Sequence, residues 1–291
     1  MINILVTGAN GQLGSEIKEI HKKYNQIGEK QANFIFTDIN TLDISNNMFL
    51  KNFFQYNTID YVINCAAYTN VDLAEKEVEK AYEINAQCVK NIISAIKPYH
   101  IKFIHISTDY VFNGKSFIPY TEDMPENPNS VYGKSKLEGE KIALNYPKTM
   151  VIRTSWLYSS FGKNFAKTIH KLCTQREELN VVFDQVGTPT YARDLASAIF
   201  KIIEQSEINN NFKTGIYHYS NEGVCSWYDF ARAIALKSYS KCKINPIETK
   251  DYPTPAQRPF YSVLNKNKIK SVYNINIPHW QQSLDDFFMK I

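Results

Sequence analysis

Short apolar runs alternate with amphipathic segments through the first half of the chain. Runs such as INILVT (2–7) and IKFIHIS (101–107) are continuously apolar, which is typical of strands buried on both faces of a parallel sheet. Similar runs predict further strands at 33–38, 60–67 and 149–156. Between them, apolar residues recur at helical spacing and predict helices at 12–24, 46–56 and 77–96. Strands that alternate with helices predict an α/β fold with a Rossmann-like, doubly wound parallel sheet.

The pattern changes after about residue 155. Amphipathic segments there predict helices at 164–173, 191–205, 226–239 and 281–290, with short strands at 180–184 and 215–220 between them. We therefore expect a large domain over residues 1–155, which also receives later elements from roughly 180–220. Residues 156–291 are expected to form mainly a smaller C-terminal α/β lobe that binds the substrate.

The composition narrows the class of protein without naming a function. Among the 291 residues, 44% are hydrophobic and 21% are charged, as in an ordinary globular protein, and the net charge is only +4. The lysines are scattered, so we expect no nucleic-acid partner. No signal peptide and no long apolar segment is recognised, so we expect no membrane partner. The five cysteines form no C-x-x-C motif, which favours a reducing cytosol and a cytoplasmic location.

The segment VTGANGQLG follows the first strand and opens the first helix, with glycines at Gly8, Gly11 and Gly14. Glycines in this place allow a tight turn and close approach of a pyrophosphate to the backbone, and the helix start offers free N–H groups. The alternative is a purely structural turn. The strand–glycine–helix context favours dinucleotide binding.

Two further segments continue this prediction. Asp38 ends the second strand, where an acidic side chain accepts hydrogen bonds from the adenosine ribose and disfavours a 2′-phosphate. No Arg lies nearby, so the sequence leans toward NADH, with NADPH left open. The third strand is followed by Ala66 and Ala67, whose small side chains let a cofactor lie against the backbone.

A hydroxyl, a tyrosine and a lysine follow in a characteristic order. Thr108 emerges at the end of the fourth strand, and the segment VYGKSKLEGEK (131–141) contains Tyr132 and Lys136 on one helix face. The same Tyr–Lys spacing recurs at Tyr239 and Lys243, which we expect to be a solvated helix end without catalytic companions. The first pair is therefore the candidate catalytic pair.

This trio suits the reduction of a carbonyl. Hydride delivery to a carbonyl leaves an alkoxide that needs a proton, and Tyr132 is the expected donor. We expect the Lys136 ammonium, together with the positive nicotinamide of the oxidised cofactor, to bring the pKa of Tyr132 down toward the working pH, and we expect Lys136 to bond the nicotinamide ribose. Thr108 is expected to hydrogen-bond the carbonyl oxygen and to stabilise its developing negative charge.

The chain resembles the dTDP-4-dehydrorhamnose reductase family of the extended short-chain dehydrogenase/reductase superfamily over nearly its whole length. The similar segments are GANGQLG, DIS, NCAAYTNVDLAE, ISTDYVFNG, NPNSVYGKSKLEGE, IRTSWLYSSFGKNFAKTI, DQVGTPTYARDLA and PTPAQRP. The resemblance implies an oxidoreductase that reduces the C4 ketone of dTDP-4-dehydro-β-L-rhamnose with NADH or NADPH. It places the reaction in nucleotide-sugar biosynthesis for cell-surface polysaccharide.

The resemblance also assigns roles to individual residues. The catalytic residues would be Tyr132, Lys136 and Thr108. The cofactor would be held by Tyr132 and Lys136 together with the glycine turn and three later segments, namely Gly8, Gly11, Gln12, Leu13, Gly14, Asp38, Asp43, Ile44, Ala66, Ala67 and Tyr68. Tyr68 departs from the His of some members, which weakens its assignment. Asp109 and Trp156 would contact the substrate, together with Thr108.

Further substrate contacts are expected in the second half of the chain. Arg258 is our candidate for the nucleotide pyrophosphate, against a structural ion pair as the alternative. Asn164, Gln185 and Arg193 lie in family-like motifs and are candidates for the sugar pocket. Arg153 lies inside a strand, and we expect it to pair with a buried carboxylate or a backbone carbonyl.

Rival functions within the fold are disfavoured by particular residues. Sugar-nucleotide dehydratases need an Asp–Glu pair after the threonine, whereas this chain has Asp109 followed by Tyr110. Epimerases of this class typically carry Ser-Ala in place of Thr-Asp. A regulatory homologue without catalysis is disfavoured by the intact trio. Some family members bind magnesium at a dimer interface through acids that do not map onto this chain, so no metal is predicted, and a homodimer is left open.

Overall fold

A computed structural model describes residues 1–291, and its strands fall into one large sheet and three small two-stranded ones. In chain order the strands are β1 (Ile2–Thr7), β2 (Gln26–Ile27), β3 (Lys30–Thr37), β4 (Tyr61–Asn64), β5 (Lys102–Thr108), β6 (Thr149–Thr154), β7 (Leu157–Tyr158), β8 (Glu178–Val182), β9 (Val186–Gly187), β10 (Thr190–Tyr191), β11 (Gly215–His218), β12 (Cys225–Ser226) and β13 (Lys243–Ile247). The longer strands of the first half were all predicted.

The α-helices cover both faces of the large sheet and build most of the smaller lobe. In chain order they are α1 (Gln12–Ile20), α2 (Asn47–Tyr56), α3 (Val71–Ala74), α4 (Val78–Tyr82), α5 (Cys88–Ile96), α6 (Val131–Leu144), α7 (Phe165–Cys173), α8 (Ala192–Ile208), α9 (Trp227–Lys237), α10 (Asn267–Tyr273) and α11 (Trp280–Phe288). The helix predicted over 77–96 is α4 and α5 joined by a π-helical turn, Glu83–Gln87. No helix is both long and apolar enough to cross a membrane.

The large sheet has the order β11-β6-β5-β4-β1-β3-β2. Every neighbouring pair is parallel except β2 with β3. From β1 the chain first builds outward to β3 and then crosses back to β4, so the direction of winding reverses beside β1. This arrangement confirms the predicted doubly wound fold and puts the carboxyl ends of β1, β4 and β5 at one edge, where ligands bind in such sheets.

Each face of the sheet has its own core. On one face 26 buried residues join strand side chains such as Ile4 to helices α1 and α8. On the other face 15 buried residues join strand side chains such as Leu5 to α2, α5 and α6. Because neighbouring residues of β1 are buried on opposite faces, the strand has to be apolar throughout, which is why its sequence shows no alternation.

The smaller lobe has a third core of 15 buried residues, drawn mainly from α7, α9 and α11. The division near residue 155 stays a prediction, and the structure differs from it in one respect. Helix α8 packs on the large sheet and strand β11 belongs to it, with β11 parallel to β6. Strand β8, however, pairs with β13 in a small sheet of the lobe. The short strand β13 and helix α10 were not predicted.

Candidate functional site

A cavity of about 1250 Å³ lies at the carboxyl edge of the large sheet. One part of its wall comes from the glycine turn, the end of β5 and the start of α6. The other part comes from the smaller lobe, including α7, β8 and the segment Asp251–Arg258. A cavity of this size, shared by a nucleotide-type sheet edge and a second lobe, has room for two ligands side by side.

The glycine turn is shaped by contacts that leave no space for larger side chains. Gly8 has a φ of +65°, and a Cβ atom there would lie 2.6 Å from the backbone nitrogen of Ala66. A Cβ on Gly14 would overlap the carbonyl group of Gly8. These contacts hold the turn tightly against the ends of β1 and β4, where part of it, Gly11 to Leu13, lines the cavity.

Helix α1 starts at this turn without a side-chain cap. The N–H groups of its first turn therefore have no partner from the usual capping side chain, and they lie where the positive end of the helix dipole adds to their charge. The turn and the helix start together fit a pyrophosphate group, as the sequence predicts.

The other expected cofactor residues lie at the same edge but outside the lining of the cavity, with the exception of Ala67. Asp38 follows β3 directly and accepts hydrogen bonds from the side chain of Asn10, from the N–H of Asn40 (3.0 Å) and from the hydroxyl of Thr41 (3.3 Å). No salt bridge engages its carboxylate. Its ribose role stays a prediction.

The remaining members of that set are held by local hydrogen bonds. Asp43 accepts from the N–H and hydroxyl of Ser45, and the carbonyl of Ile44 accepts from Asn91. The hydroxyl of Tyr68 donates to Glu77 at 2.9 Å. That bond holds the hydroxyl of Tyr68 away from the cavity. The residue that departs from the family pattern therefore does not line the cavity.

The candidate catalytic trio is brought together at one wall of the cavity. Thr108 is the last residue of β5, and Tyr132 and Lys136 lie on the first two turns of α6. Ser130 caps this helix by accepting a hydrogen bond from the N–H of Gly133 at 3.1 Å. The cap and the strand end thus fix the three side chains from two elements that share one core.

Lys136 is almost fully buried, and its ammonium donates to the carbonyl of Ile106 at 2.7 Å. Burial lowers the pKa of Lys136 to about 8, while the nearby carboxylate of Glu140 works in the opposite direction. Glu140 itself forms a buried ion pair with Arg153 at 2.7 Å, and Arg153 also binds Glu126 at 2.6 Å. This confirms the expected pairing of Arg153 with a buried carboxylate.

Tyr132 lies edge-on to Tyr110, with ring centroids 5.4 Å apart. Burial raises the pKa of Tyr132 above its ordinary value, and the neighbouring hydroxyl of Thr108 only partly opposes this. The lowering expected from Lys136 together with the positive nicotinamide of the oxidised cofactor stays a prediction, and among the groups of the chain the loss of hydration is the largest influence on the phenol. The residues of the chain therefore keep Tyr132 protonated, which is the form a proton donor needs.

Asp109 is buried directly beside the trio. Its Oδ1 atom accepts a hydrogen bond from the hydroxyl of Thr108 at 3.0 Å, and its Oδ2 atom has no partner. Burial raises the pKa of Asp109 to about 6, with the hydroxyls of Ser262 and Thr108 working against the rise. A buried, half-satisfied carboxyl group in the cavity wall is suited to bind a polar ligand.

Trp156 occupies an unusual backbone conformation, with a φ of +47°. Its indole stacks on that of Trp227, with centroids 3.5 Å apart, and covers Gly187, where a Cβ atom would lie 2.6 Å from the ring. Both indoles line the cavity. The stacked pair offers a flat apolar wall, and the sequence indicated only one half of it.

The other expected substrate residues divide into two groups. Asn164 and Gln185 line the cavity, and Asn164 also caps α7. Arg193 lies elsewhere: its guanidinium is 3.5 Å from the buried carboxylate of Glu16. Arg193 lies in the first turn of α8, which packs on α1. Its guanidinium therefore faces that helix instead of the cavity, and the structure does not support its place in the sugar pocket.

Arg258 combines the two alternatives considered for it. It forms an ion pair with Asp72 at 2.6 Å, donates to the hydroxyl of Tyr110 at 3.3 Å and lines the cavity. Asp72 and Tyr110 belong to the large domain, so the bond ties the proline-rich segment of the lobe across the cavity. The sequence contains both partners in family-like segments but gives no signal that they meet.

No group of three or more His, Cys, Asp or Glu side chains is arranged to hold a metal ion. The five cysteines are all free thiols. The cytoplasmic location that their number favours stays a prediction.

Comparison with known proteins agrees with this geometry. The model of the RmlD substrate binding domain family matches residues 2–291. A dTDP-4-dehydrorhamnose reductase of Aggregatibacter actinomycetemcomitans is 38% identical over 98% of this chain and 97% of its own. The chain belongs to the dTDP-4-dehydrorhamnose reductase family. The resemblance stated from the sequence motifs is thereby confirmed.

Two further proteins that resemble this member of the dTDP-4-dehydrorhamnose reductase family are informative. The spore coat polysaccharide biosynthesis protein SpsK of Bacillus subtilis is 40% identical over 100% of this chain and 98% of its own. The crystal structure of the Bacillus anthracis reductase in complex with NADP is 37% identical, superposes with a TM-score of 0.92 and covers 100% of both chains. The family fold therefore extends over the whole chain, both lobes included.

Proposed function

We propose that this protein reduces the C4 ketone of dTDP-4-dehydro-β-L-rhamnose to dTDP-L-rhamnose, with NADH or NADPH as the reductant. One observation carries the proposal: Thr108, Tyr132 and Lys136 line the same cavity as the glycine turn. The family relationship supports the choice of substrate, since relatives are named for this reaction. A role in the synthesis of a cell-surface polysaccharide is supported by the relative SpsK, which is named as a spore coat polysaccharide biosynthesis protein.

The cofactor would be held by the glycine turn, the first residues of α1 and Lys136. When bound there, it supplies the hydride. The chain supplies the rest: the phenol of Tyr132 donates a proton to the ketone oxygen, and the hydroxyl of Thr108 donates a hydrogen bond to the same oxygen. Because the single O–H of Thr108 donates to Asp109 in this structure, it has to turn from that carboxyl group to the ketone oxygen when the substrate binds.

The nucleotide end of the substrate is assigned to the smaller lobe. The stacked indoles of Trp156 and Trp227 present a face for a base or sugar ring. Arg258 carries a guanidinium that matches phosphate oxygens, and Asp72 holds it in place until a phosphate competes for it. Asn164 and Gln185 are further candidates for polar contacts with the substrate.

The rival reaction of a dehydratase is disfavoured by the structure of the same wall. Where that chemistry needs a carboxylate base, Tyr110 presents a phenol that is bonded to Arg258. Burial raises the pKa of Tyr110 to about 12, so it stays protonated and does not replace a base. A ketone reductase needs no second base at this position.

The proposal is tested with dTDP-4-dehydro-β-L-rhamnose and either NADH or NADPH, following cofactor oxidation and identifying the product by NMR. We expect both cofactors to be oxidised, with NADH preferred because Asp38 has no neighbouring cation. An absence of cofactor oxidation with this substrate would sink the proposal. Tight NADH binding without turnover of any dTDP-4-keto sugar would favour a regulatory homologue instead.

A homodimer remains a separate prediction. It is checked by sedimentation equilibrium of the purified protein over a range of concentrations.

A further inference from the structure

The segment Ser159–Asn164 of the smaller lobe lies against the start of α1. The hydroxyl of Ser159 donates to Glu16 at 2.7 Å, and the amide of Asn164 donates to the side-chain oxygen of Gln12 at 2.9 Å. Between them Gly162 has a φ of +66°, and a Cβ atom there would lie 3.2 Å from the Cγ atom of Gln12. The segment is therefore pinned across the first turn of the helix at both of its ends.

Lys163 lies inside this pinned segment, between Gly162 and Asn164. Its side chain is exposed and lines the same cavity as Gly11, Gln12 and Leu13. No carboxylate lies within salt-bridge distance of its ammonium, and no backbone group accepts from it. The nearby Lys167 differs, because it donates to the carbonyl of Ser160 at 2.8 Å and so closes the segment on itself.

The part of the cavity beside the glycine turn thus carries positive charge on both of its sides. On one side are the uncapped N–H groups and the positive dipole end of α1. On the other side is the unpaired ammonium of Lys163. Glu16, which lies on the second turn of α1, is buried and is already bound by Ser159 and Arg193. A divalent anion placed between the two sides would be attracted from both lobes.

We propose that Lys163 is a further cofactor-binding residue, whose ammonium binds the pyrophosphate of the dinucleotide from the side of the smaller lobe. The inference rests on the proposed function, since it takes the ligand at the glycine turn to be the dinucleotide. It adds a cationic contact from the second lobe to a site otherwise built from backbone groups of the first.

The substrate also contains a pyrophosphate, so the test has to separate the two ligands. ADP-ribose has the cofactor's pyrophosphate without its nicotinamide, and dTDP has the substrate's pyrophosphate. Binding of each is measured by calorimetry with the wild-type protein and the variants Lys163→Gln, Lys163→Arg and Lys171→Gln. Lys171 is the matched control, because it is an exposed lysine on α7 that does not line the cavity.

We expect Lys163→Gln to weaken ADP-ribose binding by about three- to tenfold and to leave dTDP binding unchanged. Lys163→Arg should keep ADP-ribose affinity within about twofold, since it retains the charge, and Lys171→Gln should bind as the wild type does. The effect of Lys163→Gln should shrink between about 50 mM and about 500 mM salt, because the contact is exposed.

Two results would overturn the role of Lys163 alone. They are equal ADP-ribose affinity in Lys163→Gln and the wild type, and a loss of dTDP affinity in place of ADP-ribose affinity. A wild-type protein that does not bind ADP-ribose would refute both the proposed function and the role of Lys163.

Discussion

The two Tyr–Lys pairs of this chain have the same spacing and opposite surroundings. Tyr132 and Lys136 share one face of α6 and line the cavity. Tyr239 follows the end of α9 with a φ of +50° and is 97% exposed, and Lys243 already belongs to β13. A spacing of four residues brings two side chains together only inside a helix. The second pair is thus not a pair in space, and the expected helix end turns out to be a helix-to-strand connection.

The surroundings also decide the chemistry of each group. Burial raises the pKa of Tyr132 and lowers that of Lys136 to about 8. We infer that the burial of Tyr132 and Lys136 on α6, and not the four-residue spacing, makes the first pair reactive. Four substitutions test this, beginning with the largest expected effect.

Removing the phenol hydroxyl should show the largest difference in turnover between Tyr132 and Tyr239. Tyr132→Phe is expected to lower kcat by about 10²–10⁴-fold, because the ketone oxygen loses its proton donor. Binding of NADH, measured by fluorescence titration, should change little. Tyr239→Phe is the control and should turn over substrate at the wild-type rate. Near-normal turnover of Tyr132→Phe would refute its assigned role.

The ion pair behind α6 tests whether the helix depends on its buried charges. Glu140→Gln leaves Arg153 without its fully buried partner, and we expect the free energy of unfolding to fall by about 3–5 kcal/mol. Glu126, which binds the same guanidinium, is the matched control. Its side chain is 30% exposed, so Glu126→Gln should cost less than about 1 kcal/mol. Urea unfolding followed by circular dichroism measures both, and equal losses would contradict the distinction.

Close backbone packing is a second source of the enclosure. A Cβ atom on Gly139 would overlap the backbone carbonyl of Asn85 in the π-helical turn. Gly139→Ala should therefore lower the free energy of unfolding by about 1–3 kcal/mol, although alanine is the better helix former by about 1 kcal/mol. The same urea experiment measures it. A higher free energy of unfolding for Gly139→Ala than for the wild type would mean that α6 and the π-helical turn move apart at little cost.

Replacing the buried Lys136 should change the free energy of unfolding least, and should raise it instead of lowering it. Holding Lys136 at a pKa of about 8, against 10.5 in the unfolded chain, costs about 3 kcal/mol at pH 7, and its bond to Ile106 returns part of this. Lys136→Met should therefore unfold with a free energy about 1–2 kcal/mol higher than the wild type while losing turnover. Lys243→Met should change neither quantity.

The pH dependence of that gain follows from the same two pKa values. Between pH 8 and 10.5 the unfolded chain holds the lysine proton more firmly than the folded one, so the stability of the wild type rises with pH relative to the variant. The advantage of Lys136→Met should therefore shrink across this range. Measured unfolding free energies at several pH values check it, and a constant difference would contradict the assigned cause.

Much of the fold was readable from the sequence because the strands of a covered parallel sheet are continuously apolar. Strands of two residues, such as β7 and β9, leave no such pattern, and β13 contains a proline and alternates only weakly. The placement of β8 was missed for a different reason. Its partner is chosen by the tertiary packing of the lobe, which no local pattern records.

The site was predicted where its residues sit in one local motif. The glycine turn and the Tyr132–Lys136 pair were found in this way, and Thr108 was found from its place at the end of a predicted strand. Contacts between distant segments were not: the tie from Arg258 to Asp72 joins positions far apart in the chain. The rise in the Tyr132 pKa that burial causes was also not predicted, because burial is a property of the packed structure. Arg193 shows the same limit, since its partner Glu16 lies on another helix.

The stacked indoles have a spectroscopic consequence. The chain has three tryptophans, and all of them, Trp156, Trp227 and Trp280, lie beyond the last long strand before the smaller lobe. Intrinsic fluorescence at tryptophan excitation therefore reports on the smaller lobe and hardly on the large sheet. Far-ultraviolet circular dichroism, by contrast, is dominated by the sheet and its helices. Unfolding curves from the two signals coincide only if both parts melt as one unit.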